Sequence, residues 1–321
     1  MRIDEGLFVA IHGVDQWITL RGVEQSNPAL LIVGGPGAAF SRMAPFFAPW
    51  ERDFTLVQWD QPGAGATQAK NGDAGTGALT FDRIARDGIA VAEFACRRLR
   101  TPKVAVLGIS GGSIVALKMV KQRPDPFFAY VGSGQIVDWA RQEPLSYAMV
   151  VAQARGAGNQ AAVDELTKLG PPPYPDVAAD AVKSKYANVL TPAEQAAFAA
   201  LDPSDRAALT APPAGARYVA PDLPLLDVPT TAMAAYAKLR SELVEFDART
   251  LGLDFDVPMF FFQGDSDAFT VASLVSAYWA DIRAPRKEMQ LVEGGGHSAV
   301  FVREQFLALL DRFVRPLAPM R

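Results

Sequence analysis

Short apolar runs that stop at glycine occur in the first and last parts of the chain and predict buried strands. Two such runs are Leu30 to Val33 and Thr55 to Trp59, and a glycine- and proline-rich stretch follows each of them. The same pattern places further strands at residues 103–108, 128–131, 258–263 and 287–292. Because these runs do not alternate with polar residues, they suit strands that are covered on both faces, as in a parallel sheet.

Two other periodicities add a hairpin and helices to this pattern. Residues 7–24 alternate apolar and polar positions around Gly13, which predicts an antiparallel hairpin with His12 on one of its strands. Between Thr80 and Arg100 apolar positions recur at helical spacing with charged residues between them, which predicts a helix that lies on the sheet. A closing helix is expected at residues 298–314.

The middle of the chain has a different character. From about Asp138 onwards, alanine-rich amphipathic segments are separated by proline clusters, and strand signals disappear. We expect helices there at residues 143–157, 159–169, 176–189, 191–201 and 230–249. The whole pattern predicts an α/β fold in which helices flank a mostly parallel sheet and an all-helical cap is inserted. The expected domains are a core of residues 1–137 and 251–321 and a cap of residues 138–250.

Composition and charge narrow the class of protein. The 321 residues are 50% hydrophobic and 21% charged, which is typical of a packed globular protein. The net charge is −4 and no basic cluster stands out, so nucleic acid is not an expected partner. The single cysteine, Cys96, cannot form an internal disulfide or a cysteine-based zinc site. Acidic residues near the amino end and the lack of a long apolar run predict a soluble, cytoplasmic protein that does not enter a membrane.

One motif carries most of the chemistry. Gly108-Ile109-Ser110-Gly111-Gly112 matches G-x-S-x-G at the point where a predicted strand passes into a predicted helix. In such an elbow a strained backbone exposes the serine hydroxyl, and the glycines let strand and helix approach closely. The alternative is an ordinary tight turn, but the strand before the motif and the helix after it favour a function. We therefore predict that Ser110 is a nucleophile.

A serine nucleophile needs a general base and an acid that orients the base, in the chain order serine, acid, histidine. Of the two histidines in the chain, only His297 follows Ser110, and it lies in a glycine-rich loop after a predicted strand. Asp265 and Asp267 both follow the preceding predicted strand. We choose Asp267 because it lies further into the loop, and Asp265 is the alternative.

The oxyanion that forms during acyl transfer needs backbone N–H donors. The first candidate is the amide of Gly111, the residue after the nucleophile. The second candidate is Gly35, in the Gly34-Gly35-Pro36-Gly37 stretch after the strand that ends at Val33. A plain turn is the alternative reading of that stretch, since glycine and proline form turns in many loops.

Together these residues resemble the α/β-hydrolase superfamily and, within it, the prolyl aminopeptidase (proline iminopeptidase) branch, over almost the whole chain. Gly34 to Gly37 is similar to that branch's H-G-G-P-G, Asp60 to Thr67 to its D-Q-R-G-x-G-x-S, Gly264 to Asp267 to its G-x-x-D, and Gly296 to Ala299 to its G-H-S-A. Three residues depart from the branch pattern: Val33 replaces a histidine, Pro62 an arginine and Gly111 a bulky aromatic residue. The change at position 111 removes a wall beside the reactive centre, which weakens the expectation of strict proline specificity.

The resemblance implies a serine hydrolase that cleaves a small amide or ester through an acyl-enzyme, with no cofactor and no metal. Aminopeptidases of this branch hold the free amine of the substrate with carboxylates from the cap. Glu242 and Glu245, three residues apart on a predicted helix, are the candidates, and a solvated helix face is the alternative.

Other functions stay open at this point. The alternatives are an esterase or lactonase with the same triad and a non-catalytic, ligand-binding member of the fold. Dehalogenases and epoxide hydrolases of this fold need a carboxylate nucleophile where this chain has Ser110. The expected partner is a small-molecule or short-peptide substrate, and the sequence does not indicate an oligomeric state.

Overall fold

A single eight-stranded sheet organises the computed structural model, which describes residues 1–319. Its strands are β1 (Ile3–Ile11), β2 (Val14–Gly22), β3 (Ala29–Val33), β4 (Thr55–Asp60), β5 (Val104–Ile109), β6 (Phe127–Ser133), β7 (Met259–Gly264) and β8 (Lys287–Val292). The order in the sheet is β1-β2-β4-β3-β5-β6-β7-β8. The pairs β1·β2 and β2·β4 are antiparallel, and every pair from β4 to β8 is parallel. The prediction of a mostly parallel sheet is therefore confirmed.

Helices follow the strands and cover the sheet. They are α1 (Ala44–Phe47), α2 (Gly65–Thr76), α3 (Phe81–Leu99), α4 (Gly111–Gln122), α5 (Trp139–Gly156), α6 (Gln160–Leu169), α7 (Val177–Ala187), α8 (Pro192–Ala199), α9 (Pro203–Thr210), α10 (Val228–Val244), α11 (Ala272–Asp281) and α12 (Arg303–Leu309). Helices α5 to α10 all lie between β6 and β7 in the chain, and we call them the inserted helices. None of the helices in residues 1–319 has both the length and the apolar character needed to cross a bilayer.

Some local predictions were wrong. His12 lies in the turn between β1 and β2, with a φ of 47°, and not on a strand. Helices α1, α2, α9 and α11 were not predicted. Helix α1 is a single turn, α2 and α9 have few apolar positions, and α11 is apolar on several sides, so none of them shows a clear helical period. The expected closing helix is interrupted: the α-helical part, α12, is followed by a π-helical turn at Leu310–Val314. Helix α10 ends at Val244, five residues before the predicted end.

The strands at the centre of the sheet divide the core into two layers. Successive side chains of a strand point to opposite faces, so Leu31 and Val33 pack with α3 and α4, whereas Leu30 and Ile32 pack with α1 and α12. Strands β3 to β7 are buried along their whole length. Because β3, β5, β7 and β8 are parallel, their carboxyl ends and the loops that follow them meet at one edge of the sheet.

Candidate active site

The turn between β5 and α4 holds Ser110 in a strained conformation. Its φ is 54° and its ψ is −127°, a combination that a residue with a side chain rarely adopts. Two contacts stabilise the turn: the Ser110 amide donates to the Ser133 carbonyl at 2.9 Å, and the Ser113 hydroxyl donates to the Ser110 carbonyl at 2.6 Å. The hydroxyl of Ser110 is thereby presented at the carboxyl edge of the sheet.

The close approach of α4 to β3 explains why position 112 of the motif is a glycine. A Cβ atom on Gly112 would lie 2.1 Å from the Val33 carbonyl oxygen and 2.5 Å from the Gly34 carbonyl oxygen. Both neighbours are backbone atoms, so they cannot turn aside as a flexible side chain could. Any larger residue at position 112 would therefore push the elbow away from the loop after β3.

His297 lies between Ser110 and Asp267. Its Nε2 is 2.8 Å from Oγ of Ser110, and its Nδ1 is 3.2 Å from Oδ2 of Asp267. The imidazole is only 10% exposed, and the Asp267 carboxylate is fully buried. The loops after β5, β7 and β8 thus bring together a hydroxyl, an imidazole and a carboxylate in the order that acyl transfer by a serine requires.

Hydrogen bonds fix the orientation of the Asp267 carboxylate. Its Oδ1 accepts from the backbone amides of Phe269 and Thr270, both at 2.8 Å. Its Oδ2 accepts from Nε2 of Gln263 at 2.7 Å and from the hydroxyl of Thr270. These donors leave Oδ2 facing Nδ1 of His297, so the carboxylate can hold the ring in one tautomer.

Asp265, the alternative acid, has a different environment. It is exposed, and its carboxylate accepts from the Ser266 hydroxyl at 2.8 Å and the Gly294 amide at 3.0 Å. The hydrogen bonds in the described part of the chain therefore place Asp267, and not Asp265, against the imidazole.

The two glycines predicted to donate to an oxyanion lie next to each other. A Cβ atom on Gly111 would lie 3.6 Å from Cα of Gly35 and 3.0 Å from Cδ of Pro36. The loop after β3 therefore lies directly beside the residue that follows Ser110. Both backbones border the space in front of the Ser110 hydroxyl.

A cavity of about 400 Å³ opens in front of Ser110, Gly35 and Gly111. Helices α5, α7 and α10 contribute residues to its walls, so the inserted helices cover the hydroxyl. Most of the wall is apolar, and the large side chains that line it include Phe81, Ile136, Trp139, Leu239, Leu243 and Phe269. Such a cavity favours an uncharged, apolar group next to the reacting carbonyl.

Asp180 on α7 brings a carboxylate to the cavity wall, but its charge is already paired. Nε of Arg240 lies 2.5 Å from its Oδ2, and the hydroxyl of Tyr236 donates to the same oxygen at 2.9 Å. Burial and the neighbouring carboxylate of Asp180 raise the pKa of Tyr236, which keeps its hydroxyl protonated.

A second buried ion pair lies behind the wall. Nζ of Lys183 is 2.5 Å from Oε1 of Glu143 and 4.6 Å from the centre of the Phe269 ring. Burial raises the pKa of Glu143 and lowers the pKa of Lys183, and the attraction between the two charges opposes both shifts. The carboxylates of Asp180 and Glu143 therefore each have a cationic partner.

The structure does not bring Glu242 and Glu245 to the cavity, so the prediction that they hold a substrate amine was wrong. Glu242 accepts a hydrogen bond from the Phe81 amide at 3.1 Å and so caps the first turn of α3. Glu245 is exposed, one residue beyond the end of α10. The spacing of three residues predicted one shared helix face, but α10 ends before Glu245, and neither residue lines the cavity.

Several residues of the site were missed in the sequence. Asp180, Gln263 and Thr270 carry no motif of their own, because their roles come from contacts between distant parts of the chain. One signal could have been recognised: the pattern T-x-x-E of a capping box occurs at Thr191-Pro192-Ala193-Glu194. Within residues 1–319, no group of three or more His, Cys, Asp or Glu side chains is arranged to hold a metal ion.

Comparisons with known proteins agree with this fold. The family model described as serine aminopeptidase, S33, matches residues 24–172, which is a little under half of the chain. The "Probable aminopeptidase YbaC" of Bacillus subtilis is 26% identical over 295 residues, which is 90% of this chain and 89% of that protein.

Solved structures with lower sequence identity have the same fold. The proline iminopeptidase of Mycobacterium smegmatis has a TM-score of 0.67 and 16% identity, with 98% of each chain covered. A thermophilic esterase from Thermogutta terrifontis has a TM-score of 0.60 and 16% identity, with 99% of this chain and all of that chain covered. At such identities the likeness shows the fold alone. Together with the motifs, these similarities confirm an α/β-hydrolase fold and a resemblance to the prolyl aminopeptidases.

Proposed function

We propose that the chain is a serine hydrolase that cleaves a small amide or ester through an acyl-enzyme intermediate. The observation that carries the proposal is the contact of Nε2 of His297 with Oγ of Ser110 at 2.8 Å, in a histidine whose other nitrogen faces Asp267. The buried site and the strained elbow support it, because both are costly features that an ordinary turn does not need.

The reaction proceeds in two halves. Oγ of Ser110 attacks the substrate carbonyl carbon while Nε2 of His297 takes the hydroxyl proton, and the amides of Gly35 and Gly111 stabilise the oxyanion. His297 then gives that proton to the leaving amine or alcohol, and the acyl group stays on Ser110. Water attacks the ester in the second half, again with His297 as base, and releases the acid. Asp267 stabilises the imidazolium that forms in each half.

A fluorophosphonate probe tests this proposal, because it reacts with an activated serine. We expect one label per chain, on Ser110, and no label on a Ser110→Ala variant. Ser266→Ala is the matched control, since it removes an exposed hydroxyl from a neighbouring loop whose partner is Asp265. A parent protein that takes no label and hydrolyses no ester would refute the proposal.

Within this function, the paired charges at the cavity favour an uncharged ester over a substrate with a free amine. An ammonium group that leaves water needs a carboxylate free to accept it, whereas Asp180 is held by Arg240. We expect faster turnover of p-nitrophenyl butyrate than of proline p-nitroanilide. Faster turnover of the anilide would instead favour the aminopeptidase reading.

We also propose that residues 138–250 form a cap domain over this site. Three of the inserted helices line the cavity in front of Ser110, which supports that role. The cavity would then select substrates by the size and polarity of the group that these helices admit.

A further inference from the structure

Helix α8 begins with a capping box that also reaches outside its own helix. Within the box, the Glu194 amide donates to Oγ1 of Thr191 at 3.2 Å, and Oε2 of Glu194 accepts from the Thr191 amide at 2.9 Å. Each side chain then makes one more bond: the Thr191 hydroxyl donates to the Gly294 carbonyl at 2.6 Å, and Oε1 of Glu194 accepts from the Gly296 amide at 2.8 Å. Gly296 is the residue directly before His297.

The carboxylate of Glu194 is more deeply buried than a capping group needs to be. The residue is 0% exposed, whereas a helix cap usually lies at the surface. Burial raises the pKa of Glu194, and the hydrogen bonds from the Thr191 and Gly296 amides and the nearby imidazole of His297 lower it. A buried carboxylate with both oxygens bonded is costly to move, so it gives the loop a firm attachment.

The other side of the loop is attached to the sheet. The Ser266 amide donates to the Gly295 carbonyl at 2.9 Å, and a Cβ atom on Gly264 would lie 2.1 Å from the Gly296 carbonyl oxygen. The loop is therefore held between the end of β7 and the start of α8. The α8 side supplies the acceptor for the Gly296 amide, and without it that buried amide would lose its partner.

We propose that Thr191 and Glu194 are positioning residues for His297, so that an inserted helix forms part of the catalytic apparatus. They hold the backbone of residues 294–296 and thereby keep the imidazole in line with Ser110 and Asp267. Neither residue lines the cavity, so they act through the loop and not on the substrate. This inference rests on the proposed serine hydrolase function.

Two variants and one control test the proposal on the full chain. Glu194→Gln keeps the size of the side chain but turns an N–H₂ group towards one of the two amides. Thr191→Val keeps the shape and removes the hydroxyl that donates to Gly294. Asn159→Ala is the control, because it removes an N-cap of the same kind from α6, a helix that contributes nothing to the cavity wall.

The readouts are kcat and KM for p-nitrophenyl butyrate, the rate of fluorophosphonate labelling and the melting temperature. We expect kcat and the labelling rate of Glu194→Gln and Thr191→Val to fall about 10- to 100-fold with little change in KM, since a misplacement of about 1 Å can cost about 10²-fold. Thr191→Ser keeps the hydroxyl, so its kcat and labelling rate should stay near those of the parent. Asn159→Ala should lower only the melting temperature.

The outcomes separate this inference from the proposed function. A parent that neither labels nor turns over refutes the function, and the inference falls with it. An active parent whose folded variants label at the parent rate refutes the inference alone. If Glu194→Gln does not fold, Thr191→Val decides, because it leaves the buried carboxylate in place and changes a half-buried side chain; a parent-like rate in that variant overturns the proposal.

Discussion

The choice between Asp267 and Asp265 can be tested with single Asn substitutions, each of which exchanges one oxygen for an N–H₂ group. In Asp267→Asn, the new amide can still accept from Phe269 and Thr270 through Oδ1. Its N–H₂ group then replaces Oδ2, where Nε2 of Gln263 donates and Nδ1 of His297 lies. A donor in that place favours the histidine tautomer that carries its proton on Nε2, which cannot accept the proton of Ser110.

The expected losses differ by orders of magnitude. The wrong tautomer costs about 10⁴-fold in kcat, or about 5 kcal/mol of activation free energy. The same variant loses about 1–3 kcal/mol of folding stability, because Nε2 of Gln263 and the Thr270 hydroxyl then face a donor where Oδ2 accepted from both, although Nε2 keeps the Thr270 carbonyl as an acceptor at 2.7 Å. Asp265→Asn weakens one exposed hydrogen bond to Gly294, worth about 1 kcal/mol, and should change kcat by less than about 10-fold.

Steady-state hydrolysis of p-nitrophenyl butyrate, with the active fraction counted by fluorophosphonate label, measures both losses. Melting temperatures show whether each variant is folded under the conditions of the assay. The reasoning is refuted if Asp265→Asn loses as much activity as Asp267→Asn, or if Asp267→Asn keeps more than about a tenth of the parent rate.

Three further predictions concern the two histidines, Asp60 and Asp180. His297→Gln should abolish turnover and labelling. His12→Gln should leave both near the parent level, because His12 lies on the hairpin turn against Asp87. The reverse pattern would transfer the role of general base to His12. Burial raises the pKa of Asp60 to about 6, so its contribution to stability is present at low pH and is lost as the pH rises from about 4 through about 6, by about 3 kcal/mol. Asp60→Asn should remove this pH dependence. The free energy of unfolding in urea, measured for the parent and for Asp60→Asn at several pH values, tests this. Equal losses in both proteins between about pH 4 and 6 would contradict the prediction. Asp180→Asn should leave butyrate ester hydrolysis within a few-fold if the cavity takes uncharged groups, and a loss confined to proline p-nitroanilide would favour amine binding at Asp180.

Local sequence signals were sufficient for the sheet and for the elbow. A strand such as β5 is buried on both faces and therefore needs an uninterrupted apolar run, and the turn after it needs glycine where α4 approaches the Gly34 carbonyl. These requirements act over a few residues, so they are visible in the sequence. The order of Ser110, Asp267 and His297 along the chain is likewise a property of the sequence.

The contacts that complete the site depend on the tertiary structure. Glu194 and Gly296 are 102 positions apart, and Tyr236 and Asp180 are 56 apart, so no periodicity connects either pair. The spacing of Glu242 and Glu245 predicted one shared helix face, but α10 ends at Val244, and only the approach of α10 to the start of α3 decided that Glu242 caps a helix. A sequence thus determines which side chains are available at each element, whereas the packing of the elements decides which of them meet, because burial and charge pairing depend on every neighbour at once.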